Sequence, residues 1–404
     1  MTLGAGSRQD TANNIRSMPP TEYFQRHMSG LRTQLLQGDA PDICQDCSKM
    51  EQHGKVSGRQ RQLLKVGVRP EYFEKSLASS PYRPDFDYSN EHQGHTDRQV
   101  RDWQIDLGNY CNGACVYCHP ESSSTLAQEF KTLGLIDAMP ARAWSDDPAL
   151  VERFVADLAA TPDLAYLHFI GGETVITPGF RRILQALVDA DLAQRVSIGF
   201  TTNLTVWAEP VVDLLCQFQM VNLGMSIESL TAVNDYVRYP SQIDQVRRTM
   251  DRWVALGQQQ GWLMQLRITP TCLTVHDLST VYDYAWNNNL AVESCNFLDR
   301  PEFLRISVLP DVYREQARNN LAAWLADHPA PEVAQVINTR DPNQVRAQIR
   351  QDAESYLDYL DHALDETDRL PDLIAYLQRL ESSRGNSVLD YLPQYENLFR
   401  SAGH

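Results

Sequence analysis

The sequence lacks any apolar run of the ~18–20 residues that a membrane-crossing helix needs. Its N-terminus lacks the basic-then-apolar pattern of a secretory signal. A cytoplasmic chain with no membrane partner is the expectation. Positive charge is scarce, with 36 Lys and Arg against 52 Asp and Glu, a net charge of −16. A field of that sign repels phosphate backbones, so no nucleic-acid partner is expected. The small basic group Arg59, Arg61 and Lys65 reads as a solvated helix face. No low-complexity tract or long internal repeat is present beyond a β–α rhythm. Hydrophobic residues make up 43% of the 404 and charged residues 22%, enough for a sizeable core.

Cysteine is not lacking. Of the eight, Cys44 and Cys47 form one close group and Cys111, Cys115 and Cys118 another, while Cys216, Cys272 and Cys295 stand apart. Cytoplasmic thiols stay reduced, so close groups point to metal binding or catalysis rather than disulfides. Cys216, in Leu-Leu-Cys-Gln-Phe, reads as a packed thiol in mid-helix.

Three segments follow from the patterning. Residues 1–100 form a polar N-terminal extension. It has helical stretches near Tyr23–Gln37 and Met50–Val66, the Cys44/Cys47 pair between them, and a loop or linker over Ser79–Thr96. Residues 101–300 alternate strands with amphipathic helices. The strands are Trp103–Leu107, Leu164–Ile170, Val196–Thr202, Met220–Ile227, Met264–Thr269 and Val292–Leu298. They lack strict polar alternation, as parallel strands covered by helices do. Asp147–Pro148, Thr177–Pro178 and Ser241 with Asp244 read as helix starts. The expected fold class is α/β, a partial parallel (β/α)6 TIM-like barrel two strands short of a full one. Residues 301–404 read as a helical region over Asp311–Asp327, Asn343–Leu364 and Leu370–Leu380, with a turn at Ser382–Asn386.

The strongest chemical signal is Cys111-Asn-Gly-Ala-Cys115-Val-Tyr-Cys118, which follows the first barrel strand. Such barrels place their sites at that end of the strands. Thiolates favour zinc or iron–sulfur centres. A structural zinc site is closed by four ligands, for which His119 is the nearby fourth. Three protein ligands on a cluster leave one iron open to a small molecule.

This spacing, with an aromatic residue before the last cysteine, resembles the radical S-adenosylmethionine (SAM) superfamily. The resemblance implies a [4Fe–4S] cluster on Cys111, Cys115 and Cys118. SAM chelates the open iron there, is cleaved by one electron, and yields a 5′-deoxyadenosyl radical that takes a hydrogen atom from substrate. Gly171-Gly172-Glu173 resembles the motif that binds the methionine amino group. Thr201-Thr202-Asn203 resembles the pocket-lining segment, and Ser226-Ile-Glu228 a Ser-Ile-Asp segment in which Ser226 contacts ribose or methionine. Arg238 resembles an arginine that pairs with the SAM carboxylate. Thr269, in Ile-Thr-Pro, resembles an adenine contact, and Tyr117 one that offers its backbone to adenine. The motifs fall in order after successive strands.

The Cys44/Cys47 pair and the C-terminal Arg384-Gly385-Asn386-Ser387 resemble radical SAM proteins with a twitch-type auxiliary region. The pair is therefore a candidate second metal site, for an auxiliary iron–sulfur cluster, a zinc pair or reduced structural thiols. Further cysteines usual in such regions are missing. Cys272 and Cys295, near later strand ends, are candidates to complete it or to serve as hydrogen donors. The implied substrate is a ribosomally made peptide, with a small metabolite as the alternative, and the implied reductant is a flavodoxin or ferredoxin. A non-catalytic iron–sulfur electron-transfer or zinc protein is the reading from another class.

Overall fold

The computed structural model describes residues 2–3, 18–39, 41, 44, 47–48, 51, 59–60, 63, 67–69, 72–80, 82–96, 100–141, 143–294, 298, 300–332 and 341–402. Contacts divide it into two units. One comprises Met1–Arg8, Trp103–Val151 and Ala165–His404, and the other Gln9–Asp102 and Glu152–Leu164. No helix among the described residues is long and apolar enough to cross a membrane.

The larger unit is built on a sheet of seven strands in sequence order. They are β1 (Thr2–Leu3), β2 (Asp102–Asp106), β3 (Tyr166–Ile170), β4 (Ser197–Thr202), β5 (Met220–Ser226), β6 (Leu263–Ile268) and β7 (Ala291–Ser294). Pairing is parallel from β3 through β7 and between β1 and β2. Leu107 N donates to the Ile170 carbonyl at 2.9 Å where β2 and β3 end. This is the expected α/β barrel sheet, extended by the two-residue β1. Residues 295–297 of the expected last strand, Cys295 among them, lie outside the described residues.

The strands alternate more than the sequence suggested. In β3, Leu167 and Phe169 are fully buried while Tyr166 and His168 are half-buried. The buried set meets helices: Phe169 and Phe200 sit 5.0 and 5.5 Å from Phe180 of the Pro178–Asp189 helix. Phe200 also lies 6.0 Å from Trp253 of the Ile243–Gln260 helix. Burying each such side chain contributes about 1.5–3 kcal/mol. A barrel has helices on its outer face only, so the inner face can be polar. Tyr166 Oη lies 3.1 Å from His168 Nδ1, and Arg267 pairs with Glu293 at 2.8 Å. A Cβ on Gly199 would collide with Tyr166 and His168, and one on Gly224 would crowd Arg267 and Thr201.

The helical C-terminal region is observed as Asp311–Asp327, Pro342–His362 and Leu370–Arg384, which Gly385 ends at φ 70°. Gln348 covers the edge of β7, accepting from Val292 N at 3.0 Å, which blunts an unpaired strand.

Local expectations need correction in three places. Ser79–Thr96 is not a continuous loop, because Arg83–Glu91 is helical. Pro84 in its first turn suits a helix start, and Arg83 pairs with Asp87 one turn on at 2.7 Å. Ser241 does not cap the following helix, since Gln242 is its N-cap and Ser241 Oγ donates back to the Asn234 carbonyl at 3.3 Å. Cys216 is exposed, as the residue after the Glu209–Leu215 helix, whose Val211, Val212, Leu214 and Leu215 face inward. The stretch Met50–Val66 falls largely outside the described residues.

Candidate active site and cluster centre

The cysteine loop is shaped by its own backbone and by chain remote in sequence. Ala114 N donates to the Tyr239 carbonyl at 2.6 Å and Val116 N to the Val237 carbonyl at 2.9 Å. Ser124 Oγ and Thr125 Oγ1 donate to the Cys111 carbonyl at 3.2 and 2.6 Å, and Ser123 Oγ to the Gly113 carbonyl. A Cβ on Gly113 would lie 3.7 Å from the sulfurs of both Cys111 and Cys115, so this glycine occupies the floor between two thiols.

Cys115 and Cys118 are in direct side-chain contact, and that contact, with the Arg238 charge assisting, lowers the Cys115 thiol to about 6. The same contact and burial push Cys118 well up, and burial raises Cys111 to about 11. One thiol of the touching pair therefore ionises first. No three His, Cys, Asp or Glu among the described residues are arranged to hold a single metal ion. His119 Nδ1 accepts from Glu121 N at 3.3 Å, capping its own turn rather than joining the three sulfurs. Three soft thiol donors within one loop suit a centre of several irons.

At the end of β3, Gly171 (φ 139°) and Gly172 permit a close approach between stretches of this chain. Cβ atoms there would lie 2.5 Å from the Gly108 carbonyl and 2.2 Å from the Tyr110 carbonyl. Gly172 N and Glu173 N donate to those carbonyls at 2.7 and 2.8 Å, tying β3 to the strand end just before the cysteines. Glu173 is 2% exposed. Its carboxylate accepts from Thr202 Oγ1 at 2.8 Å, Val175 N at 3.1 Å and Asn203 N at 2.5 Å. Burial raises its carboxyl to about 6 despite those hydrogen bonds.

Asn203 Nδ2 donates to Asn112 Oδ1 at 2.9 Å, and Asn112 Nδ2 to Thr205 Oγ1 at 2.8 Å. The Gly-Gly-Glu, Thr-Asn and cysteine motifs thus form one connected network. Asn112 is a member the sequence reading passed over, although it lies between two of the cysteines.

A second network centres on Glu228, 3% exposed. Its carboxylate accepts from Tyr117 Oη at 2.6 Å, Arg238 Nη1 at 3.0 Å and Thr269 N at 2.6 Å. Arg238 Nη1 also donates to Tyr117 Oη. Tyr117 therefore contributes its hydroxyl to this structure, and the Arg238 guanidinium is engaged by Glu228. Ser226 ends β5 half-buried, in register with Arg267 of β6.

Cys272 is fully buried, and burial pushes its thiol well up. That differs from the open thiol a hydrogen donor beside a substrate requires. Cys44 and Cys47 lie in the other unit, both half-buried. Cys44 N donates to the Pro41 carbonyl at 2.8 Å and Ser48 Oγ to the Cys44 carbonyl at 3.0 Å.

Fold and site together define a parallel α/β barrel with a three-thiol loop at the C-terminal end of a strand. Residues 105–269 match the family model of the radical SAM superfamily.

Among solved structures, Streptococcus suis SuiB bound to S-adenosylmethionine is 13% identical, with a TM-score of 0.37, and covers 74% of this chain and 64% of its own. The same protein bound to precursor peptide SuiA is 12% identical at a TM-score of 0.37, over 70% and 59%. Native anSMEcpe with bound AdoMet is 15% identical at 0.38, over 55% and 60%. This chain thus spans about three-fifths of the length of those proteins. No curated protein matches it significantly in sequence.

Proposed function

We propose that the chain is a radical SAM enzyme that takes a hydrogen atom from a peptide substrate, with Cys111, Cys115 and Cys118 holding the cluster. The cluster and SAM together supply one-electron cleavage of the sulfonium and the 5′-deoxyadenosyl radical that follows. The observation that carries the reading is the continuous network from Glu173 through Asn203 to Asn112 inside the cysteine loop.

Glu173 is the acceptor for the SAM ammonium, because a fixed, desolvated carboxylate suits a cation. Thr202, Asn203 and Val175 fix its orientation. Gly171 and Gly172 bring it beside the cysteine loop. Glu228 holds Arg238 and Tyr117 in place for the carboxylate and adenine ends of SAM, with Ser226 and Thr269 lining the ribose and adenine side. The polar inner barrel face, with Tyr166, His168, Asn222, Arg267 and Glu293, favours a substrate rich in hydrogen-bonding groups, as a peptide is. A flavodoxin or ferredoxin supplies the electron.

Anaerobically reconstituted protein given dithionite and SAM should form 5′-deoxyadenosine. A colourless protein carrying stoichiometric zinc would overturn the reading.

A further inference from the structure

The Leu370–Arg384 helix, remote in sequence, reaches the cysteine loop with two side chains. Tyr376 Oη donates to the Val116 carbonyl at 2.8 Å and Arg384 Nη2 to the Ala114 carbonyl at 2.7 Å. These are the carbonyls on either side of Cys115. The Arg384 side chain is 1% exposed. Glu129 grips its guanidinium at 2.9 and 2.7 Å, and the guanidinium lies 4.7 Å over the ring of Tyr239. Tyr239 is the residue whose carbonyl holds Ala114 N. Arg384 Nη1 is buried with no hydrogen-bond partner among the described residues.

We propose that Tyr376 and Arg384 are positioning residues of the cluster, that the C-terminal helix clamps the Cys115 segment through them, and that the Arg384 charge raises the cluster's reduction potential against the opposing charge of Glu129. The inference rests on the assignment of Cys111, Cys115 and Cys118 as ligands. Reduction adds a negative charge to a centre already bearing thiolates. A buried cation stabilises that added charge more than water would, because local screening is weak. Groups behind the ligands orient them and tune the metal in this way. Glu129, whose side chain is 12% exposed, pulls the other way.

A helix-to-loop staple without electrostatic influence is the competing account, and the two differ in the sign pattern of variants. The test uses full-length, anaerobically reconstituted protein and an EPR-monitored redox titration of the [4Fe–4S] signal. Arg384→Met should shift the midpoint to more negative potential, Glu129→Gln to more positive potential, and Arg384→Lys should stay near the native value. Tyr376→Phe should keep the potential but lose iron faster to a chelator.

Unmoved midpoints, or shifts of the same sign in Arg384→Met and Glu129→Gln, would overturn the inference. If Arg384→Met fails to hold a cluster, Glu129→Gln decides alone: a positive shift supports the inference and an unmoved midpoint overturns it. Failure of the underlying ligand assignment reads differently, as native protein without a [4Fe–4S] signal or as Cys115→Ala retaining a native one.

Discussion

Lowering the pH from 7.0 to 5.0 should weaken SAM binding about tenfold, and Glu173→Gln should remove that dependence. Glu173 is fully enclosed, and burial lifts its carboxyl from 4.5 to about 6. With that value, about ten-elevenths of the protein carries an ionised Glu173 at pH 7.0 and about one-eleventh at pH 5.0. The ligand's amino group stays protonated throughout, since such groups titrate near 7.7–8.0. If only the carboxylate form grips the ammonium, affinity follows the ionised fraction.

The charges that act on Glu173 are few: Arg238 favours its ionisation, and a Cys111 thiolate would oppose it. Stability without ligand runs the other way. A raised carboxyl stabilises the fold below its unfolded value and loses that contribution as pH rises through the folded value. The window is therefore 4.5 to about 6, with about 2 kcal/mol at stake. The glutamine variant keeps an acceptor for Thr202 but turns an amide donor toward Asn203 N, so it should bind weakly at every pH. Equilibrium SAM binding, with the cluster absorbance checked at each pH, measures both curves. Native affinity that is flat from pH 7.0 to 5.0, or a glutamine variant of native affinity, would refute the reasoning.

Cys115→Ala should abolish 5′-deoxyadenosine formation and most of the cluster absorbance, measured by product chromatography and visible spectra. Arg238→Met should destabilise the fold by about 3–5 kcal/mol in urea unfolding, because it leaves Glu228 buried without its cation. Adding Glu228→Gln should recover part of that loss. Phe180→Ala should cost about 3–5 kcal/mol in the same assay, since its ring packs against both β3 and β4. A variant lacking Cys111, Cys115 and Cys118 tests the candidate second centre. Iron and sulfide that remain, and that vanish when Cys44 is also changed, would assign it to the Cys44/Cys47 pair, whereas an iron-free triple variant would leave one cluster.

Sequence alone determined what depends on local spacing. The three cysteines lie within eight consecutive residues, so their convergence needs only a loop, and the strand and helix periods are set by which neighbours are apolar. Successive parallel strands end on one face, so motifs written after strand ends could be gathered in advance around Cys111–Cys118.

Tertiary structure decided the contacts that span long separations. Spacing gives no hint that Glu228 would take up Arg238 and Tyr117, or that Asn112 would meet Asn203. Helical periodicity did not tell that Cys216 would turn outward, and strand pattern did not tell that Cys272 would be sealed from solvent. The alternation within β3 was not expected, because a barrel, unlike a doubly covered sheet, buries only one side of each strand under helices. The reach of Tyr376 and Arg384 into the cysteine loop crosses some 260 residues. Such a contact is fixed by where the last long helix packs, and no local rule encodes it.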